Sequence, residues 1–250
     1  MAPDTIRIAV ISDIHGNCFA LDATLADIRK HLVDRIVCLG DAVQGGAQPA
    51  ETIHRLRSLE CPIVLGNADA WLLGDESGEA EPVTQQQLDA RSWTLSKLSS
   101  RDLDFMRSFQ PTVLIELGFG GQLLCFHGSP ISYNDILLPD SPNVEWQRLL
   151  GPFAPKIMAG GHTHTQQIRR VGDSLFFNPG SIGVVYDYHL PDGQYHNDPW
   201  AEYAILSQEV DRLNLDFHRV PYDVKELIKI IESSGRPHAS QMVANYRFKT

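Results

Sequence analysis

Short apolar runs alternate with helical patterns through the first third of the chain. Ile6–Ser12, IRIAVIS, reads as a strand buried on both faces. The segment from Asn17, NCFALDATLADIRKH, reads as a helix with Asn17 in the capping position and Phe19, Leu21, Leu25 and Ile28 on its apolar side. RIVCL is a second strand and PAETIHRLRSL a second helix, begun by Pro49. CPIVL, Cys61–Leu65, is a third strand. A βαβαβ order predicts parallel pairing through right-handed crossovers.

The pattern changes after residue 76. TQQQLDARSWTLSKLS and DLDFMRSF predict a polar helical excursion over about 76–108. From Pro111 strands dominate, as TVLIEL, QLLCFH, KIMAG, TQQIRRV, SLFFNPG, EYAIL and LNLDFHRV, and DVKELIKIIESS is a final helix. Residues 184–200, VVYDYHLPDGQYHNDPW, combine turn formers with aromatics and read as a long loop or hairpin. No internal repeat or low-complexity linker divides the sequence, so one α/β domain is expected over 1–250.

Composition narrows the classes of function. With 21 basic and 31 acidic residues the formal charge is −10, which repels nucleic acid and anionic membranes unless bound cations reverse the field. No apolar stretch approaches the length of a membrane span, and the first residues carry no signal-like basic and apolar pair of segments. Cys18, Cys38, Cys61 and Cys125 form no CxxC pair and sit mostly in apolar runs, as free thiols of a reducing cytoplasm would.

Five apolar runs share one feature: each leads into residues of metal-ligand type. Asp13 and His15 follow the first strand, Asp41 the second and Asn67 the third. His127 follows QLLCF, and His162 and His164 follow IMAGG. Ligands of open α/β sheets bind at the carboxyl ends of strands, so these seven donors converge if the strands are neighbours. Asp13/His15 and His162/His164 are i, i+2 pairs, whose side chains share one side in extended backbone. The glycines before Asp41, Asn67 and His162 permit sharp turns and close backbone approach. Four imidazoles, two carboxylates and one amide are too rich in nitrogen for magnesium or calcium and, without cysteine, are not a structural zinc site. They suit manganese first, with iron, zinc or nickel as alternatives. Seven ligands fit two ions sharing a carboxylate, a centre that activates water for in-line phosphoryl displacement and supplies the local positive charge the chain lacks.

The blocks DIH, GD at Gly40–Asp41, GN at Gly66–Asn67, the histidine of FHGSP, and GHTH resemble, in their order, those of the calcineurin-like metallophosphoesterases. NPGS at Asn178–Ser181 and the late RVPYD resemble a bacterial and archaeal, phosphodiesterase-like branch. The resemblance implies two facing mixed β-sheets flanked by α-helices. It implies Asp13, His15 and His164 on one metal, Asn67, His127 and His162 on the other, and Asp41 as the bridge, with a metal-bridging hydroxide as nucleophile. Asp41, Asn67 and His127 would act in catalysis itself.

One position departs from the family. Many members read GNH followed by an acid, the histidine helping to protonate the leaving group, whereas Ala68 stands here. General acid catalysis is worth about 10²–10⁴-fold. Its loss favours substrates with good leaving groups or phosphodiesters and leaves Asp69 as a first-turn helix acid, while hydrolysis of nucleotides stays open. GDAVQGG lacks the arginine of protein phosphatases, which ranks that activity low; a metal- or nucleotide-binding regulator with little turnover is the other alternative. NPGS reads first as a turn, and as a support beneath the metal site second. His31, His54, His189, His196, His218 and His238 lie off the pattern as surface or packing residues, and Tyr186, Tyr188 and His189 belong to a mobile loop or a substrate cleft.

Overall fold

The structure is a computed structural model and describes residues 5–78, 82–118, 120–185 and 197–246. The first strand, β1 (Ile6–Ile11), pairs parallel with β2 (Arg35–Cys38) through helix α1 (Cys18–Ile28), whose Asn17 side chain caps it by accepting the N–H of Ala20. Helix α2 (Pro49–Leu59) follows, with proline in its first turn. The expected third strand is reduced to isolated bridges: Ile63 meets Cys38 and Val64 meets Gln110, both parallel. Pro62 shortens it, since proline has no N–H for a ladder. A six-residue helix, α3 (Asn67–Leu72), then opens directly on the GN block.

Helices α4 (Gln85–Lys97) and α5 (Ser100–Met106) form the polar excursion, capped by Thr84 and Ser99. Strand β3 (Val113–Gly118) pairs antiparallel with β4 (Gly121–Cys125), and β4 pairs parallel with β5 (Ile157–Ala159). Helix α6 (Asn143–Leu150), which buries Trp146, Leu149 and Leu150, lies between β4 and β5 and adds to the predicted elements. The hairpin of β6 (Gln167–Val171) and β7 (Ser174–Asn178) completes a sheet of order β3-β4-β5-β7-β6. The long hairpin of β8 (Trp200–Gln208) and β9 (Leu213–Pro221) joins the other sheet, of order β2-β1-β8-β9, and α7 (Val224–Ser233) and α8 (Ala239–Ala244) follow.

Alternation of side chains explains the layering. Ile8 and Val10 of β1 and Leu206 of β8 turn inward to meet Ile115, Leu123, Ile157 and Phe177 of the other sheet in a shared core. Ala9 and Ile11 turn outward to pack on Leu21, Leu25, Ile53 and Leu56 of α1 and α2. On the far side Leu124, Met158 and Phe176 pack on α6. Two mixed sheets therefore face each other between helical layers, as expected, and the carboxyl ends of β1, β2, β4 and β5 open on the same region. No helix among the described residues is long and apolar enough to cross a membrane.

Candidate metal centre

Six of the seven predicted donors lie in the loops at those strand ends, and Asn67 opens α3 beside them, after the shortened third strand. Asp13, His15 and His164 form one group and Asp41, His127 and His162 another, the ligand atoms within each lying no more than 4.8 Å apart. Asn67 joins the second group, its Oδ1 3.0 Å from His127 Nε2. Asp41 Oδ2 lies 3.7 Å from His15 Nε2 and 3.4 Å from His127 Nε2, and so faces both groups.

The two i, i+2 pairs converge by a different route from the extended backbone expected. Asp13, His15, Asp41, His162 and His164 all have positive φ, between 48° and 67°. Left-handed backbone in a residue with a side chain costs of order 1–2 kcal/mol. The loops hold it by hydrogen bonds between neighbours: Asp13 N–H donates to Gly40 O, His15 N–H to Asp41 O and Gly16 N–H to Ala42 O. Turning each donor back from its strand end, rather than alternating along a pleat, aims it at one point. The glycines serve as predicted. A Cβ on Gly66 would lie 2.1 Å from Asp41 Oδ1, and one on Gly161 would lie 2.1 Å from Ser12 Oγ.

Histidine orientation decides what the cluster can hold. Nδ1 of His15, His127 and His164 faces the carbonyls of Gln44, Leu39 and Val184 at 2.8, 2.8 and 2.6 Å. A carbonyl only accepts, so each Nδ1 carries a proton and each ring, when neutral, presents its Nε2 lone pair to the centre. His15 Nε2 and His164 Nε2 stand 3.1 Å apart, a repulsive contact between lone pairs unless positive charge lies near. Asp13 Oδ1 is buried with no donor of its own, 3.4 Å from His164 Nε2. Such a donor set fits divalent metal ions. The electrostatics agree: burial keeps His15 and His162 from charging, His162 being pushed down to about 4. Burial works to raise Asp13 and Asp41, but the imidazoles beside them hold both below the usual carboxylate range. Burial works to lower His127, but Asp41 and then Asp13 beside it raise it to about 9, so a metal ion bound at its Nε2 would displace a proton.

The supporting roles of Asp69 and of the Ala68 backbone escaped the sequence reading. Asp69 is fully buried and accepts the N–H groups of Ala42 and Gly66 at 2.9 and 3.2 Å, tying the Asp41 loop to the Asn67 loop. Ala68 donates its N–H to Asp41 Oδ1 at 2.9 Å, and Asn67 Nδ2 donates to Gly78 O at 2.9 Å, which turns the amide oxygen toward His127. NPGS is the support foreseen as its second reading. Asn178 donates to Gly161 O and Thr163 Oγ1 in the GHTH loop, and Ser181 Oγ donates to Asp13 O. Off the pattern, His31 and His218 meet at Asp27, a carboxylate already shared with Lys30 and Tyr203. Tyr186, Tyr188, His189 and His196 lie outside the described residues, as does most of the 184–200 loop. A cavity of about 670 Å³ opens over the cluster, its floor including His15, Asp41, Asn67, His162 and His164.

Comparison with known proteins agrees with this geometry. The family model of the calcineurin-like phosphoesterase superfamily domain matches residues 6–192. The chain belongs to this superfamily. The calcineurin-like phosphoesterase is 28% identical over 247 residues to an uncharacterized protein of Methanocaldococcus jannaschii, covering 92% of this chain and 93% of the relative. Among solved structures it is similar to a metallophosphoesterase from Sphaerobacter thermophilus, with 26% identity, a TM-score of 0.71 and coverage of 96% and 98% of the two chains. A hypothetical protein from Pyrococcus horikoshii shares its fold, with a TM-score of 0.79, 19% identity and coverage of 95% and 97%. Membership implies phosphoester hydrolysis with divalent metal ions.

Proposed function

We propose that this phosphoesterase is a two-metal hydrolase of phosphodiesters or nucleotides. Asp13, His15 and His164 would hold one ion, Asn67, His127 and His162 the other, and Asp41 would bridge. The observation that carries the reading is the inward convergence of seven donors, with three imidazoles locked by backbone carbonyls into the tautomer that presents Nε2. When bound, two divalent ions, manganese first, supply Lewis acidity and positive charge for in-line phosphoryl displacement. The chain's part is to hold the donors rigid: the Ala68 N–H fixes Asp41, Gly78 O fixes Asn67, and Asp69 and Asn178 lock the loops. The four free cysteines support a cytoplasmic setting, and the core shared by both sheets supports a single domain.

Preference for diesters follows from Ala68. It lines the cavity beside the cluster, where the remaining polar wall consists of Thr84, neutral amides and an arginine, with Asp41 the only carboxylate among the described residues. Asp69, its carboxyl pushed up to about 7 by burial and then by the charge on Asp41, is walled off from this cavity with both oxygens engaged. Among the described residues, no acid there outside the donor cluster stands ready to protonate a departing alkoxide. Manganese-loaded protein is expected to hydrolyse bis-p-nitrophenyl phosphate faster than p-nitrophenyl phosphate, and phenyl phosphate, whose leaving group needs a proton, more slowly than either; the reverse orders would overturn the preference. Asp41→Asn keeps an oxygen for the Ala68 N–H but removes the shared charge, so it should abolish turnover and weaken metal binding; an active variant refutes the bridging role. Ala68 also favours a second reading, a metal- or nucleotide-binding regulator, which two bound metals with turnover of neither substrate would establish.

A further inference from the structure

One cationic side chain in the cavity is unused by the metal centre. Arg236, in the turn between α7 and α8, lines the same cavity as His15, Asp41, Asn67, His162 and His164, and it is the only lysine or arginine among the described residues that do so. It is half-buried, and of its five N–H donors one reaches the carbonyl of Pro237 at 2.9 Å. No carboxylate among the described residues pairs with it, although acidic residues outnumber basic ones by 31 to 21. Burial lowers the pKa of the Arg236 guanidinium, a desolvation cost that an anion in the cavity would offset.

The rest of the wall argues for the same occupant. Gln86, Gln87, Asn197, Gln241 and Asn245 offer neutral donors and acceptors, with Met242 as an apolar surface. A volume of about 670 Å³ is far more than one phosphate fills and lies in the range of small-molecule sites, roughly 300–1,000 Å³. A guanidinium fork matches phosphoryl oxygens in geometry and charge.

We propose that Arg236 is a phosphate-binding residue of the substrate site, taking a phosphoryl oxygen of a nucleotide-sized ester whose polar, uncharged part lies against the amide wall. This rests on the phosphoesterase reading and adds the arginine clamp that GDAVQGG lacks.

The test compares wild type, Arg236→Gln and Arg236→Lys, all manganese-loaded, with thymidine 5′-p-nitrophenyl phosphate as substrate. Losing a hydrogen bond to a charged group predicts a KM raised about 10- to 100-fold in Arg236→Gln, with kcat changed less than about threefold. Inhibition by orthophosphate should weaken by a similar factor, and Arg236→Lys should recover part of both. Two metals per chain and an unchanged Tm would separate this from a structural role at the Pro237 carbonyl. KM and orthophosphate inhibition both within twofold of wild type would overturn the proposal. If wild type turns over nothing, the hydrolase reading falls and Arg236 is judged by calorimetry instead. Thymidine 5′-monophosphate should then bind wild type at least about tenfold more tightly than Arg236→Gln, with thymidine unaffected; equal affinity for the monophosphate overturns it.

Discussion

Replacing Asn178 by alanine tests whether the loop carrying His162 and His164 is held from below. The side chain is fully buried, donates through Nδ2 to Gly161 O at 2.7 Å and Thr163 Oγ1 at 3.1 Å, and accepts the Gly180 N–H at 2.8 Å. Alanine leaves the Gly180 N–H without an acceptor, at about 1–3 kcal/mol. Gly161 O keeps the Thr163 N–H at 2.7 Å, so losing the Nδ2 bonds adds only about 1 kcal/mol. The expected loss is therefore about 2–4 kcal/mol, read from urea denaturation of the metal-free chain. Because His162 belongs to one donor group and His164 to the other, both manganese affinities should weaken, by about 10–100-fold as for other supports behind metal ligands. Calorimetric titration with manganese measures this directly. A variant within about 1 kcal/mol of wild type, with manganese affinities within twofold, would refute the support role.

Gly66→Ala would put a Cβ 2.1 Å from Asp41 Oδ1, so that the carboxylate must move; metal analysis should find fewer than two ions per chain. Ala68→His introduces a proton donor beside the cluster and should speed hydrolysis of phenyl phosphate by up to about 10²-fold, with little gain on p-nitrophenyl phosphate, whose leaving group needs no proton. An equal effect on both esters would sink that account. Glu202 supplies a pH test away from the site. Burial, opposed by Arg219 at 2.9 Å, raises its pKa from 4.5 to about 7. Between those values the native state binds the proton that the unfolded chain releases, so stability falls as pH rises through the window and levels off above it. Glu202→Gln should remove that slope, gaining about 3 kcal/mol relative to wild type between pH 4 and pH 8, as measured by denaturation at each pH.

Strand-end donors were legible in the sequence because local physics sets them: a β-branched run must end, and the polar residue after it must sit at the sheet edge. Asp13, His15, Asp41, Asn67, His127, His162 and His164 were singled out that way, and the order of their blocks identified the family. Ala68 was equally plain as a departure. Tertiary structure decided how they converge. Left-handed backbone at Asp13, His15, Asp41, His162 and His164 depends on bonds between loops far apart in sequence, such as Asp13 N–H to Gly40 O, and no periodicity encodes it. The shortened third strand followed from Pro62, but whether Ile63 and Val64 still bridged their neighbours depended on the packing around them. Imidazole tautomers, fixed by the carbonyls of Leu39, Gln44 and Val184, rest on backbone atoms that carry no side-chain signature. Arg236 lies 72 positions beyond His164, in a turn with no motif, and only folding brings its charge to the cavity that the candidate metal ligands floor.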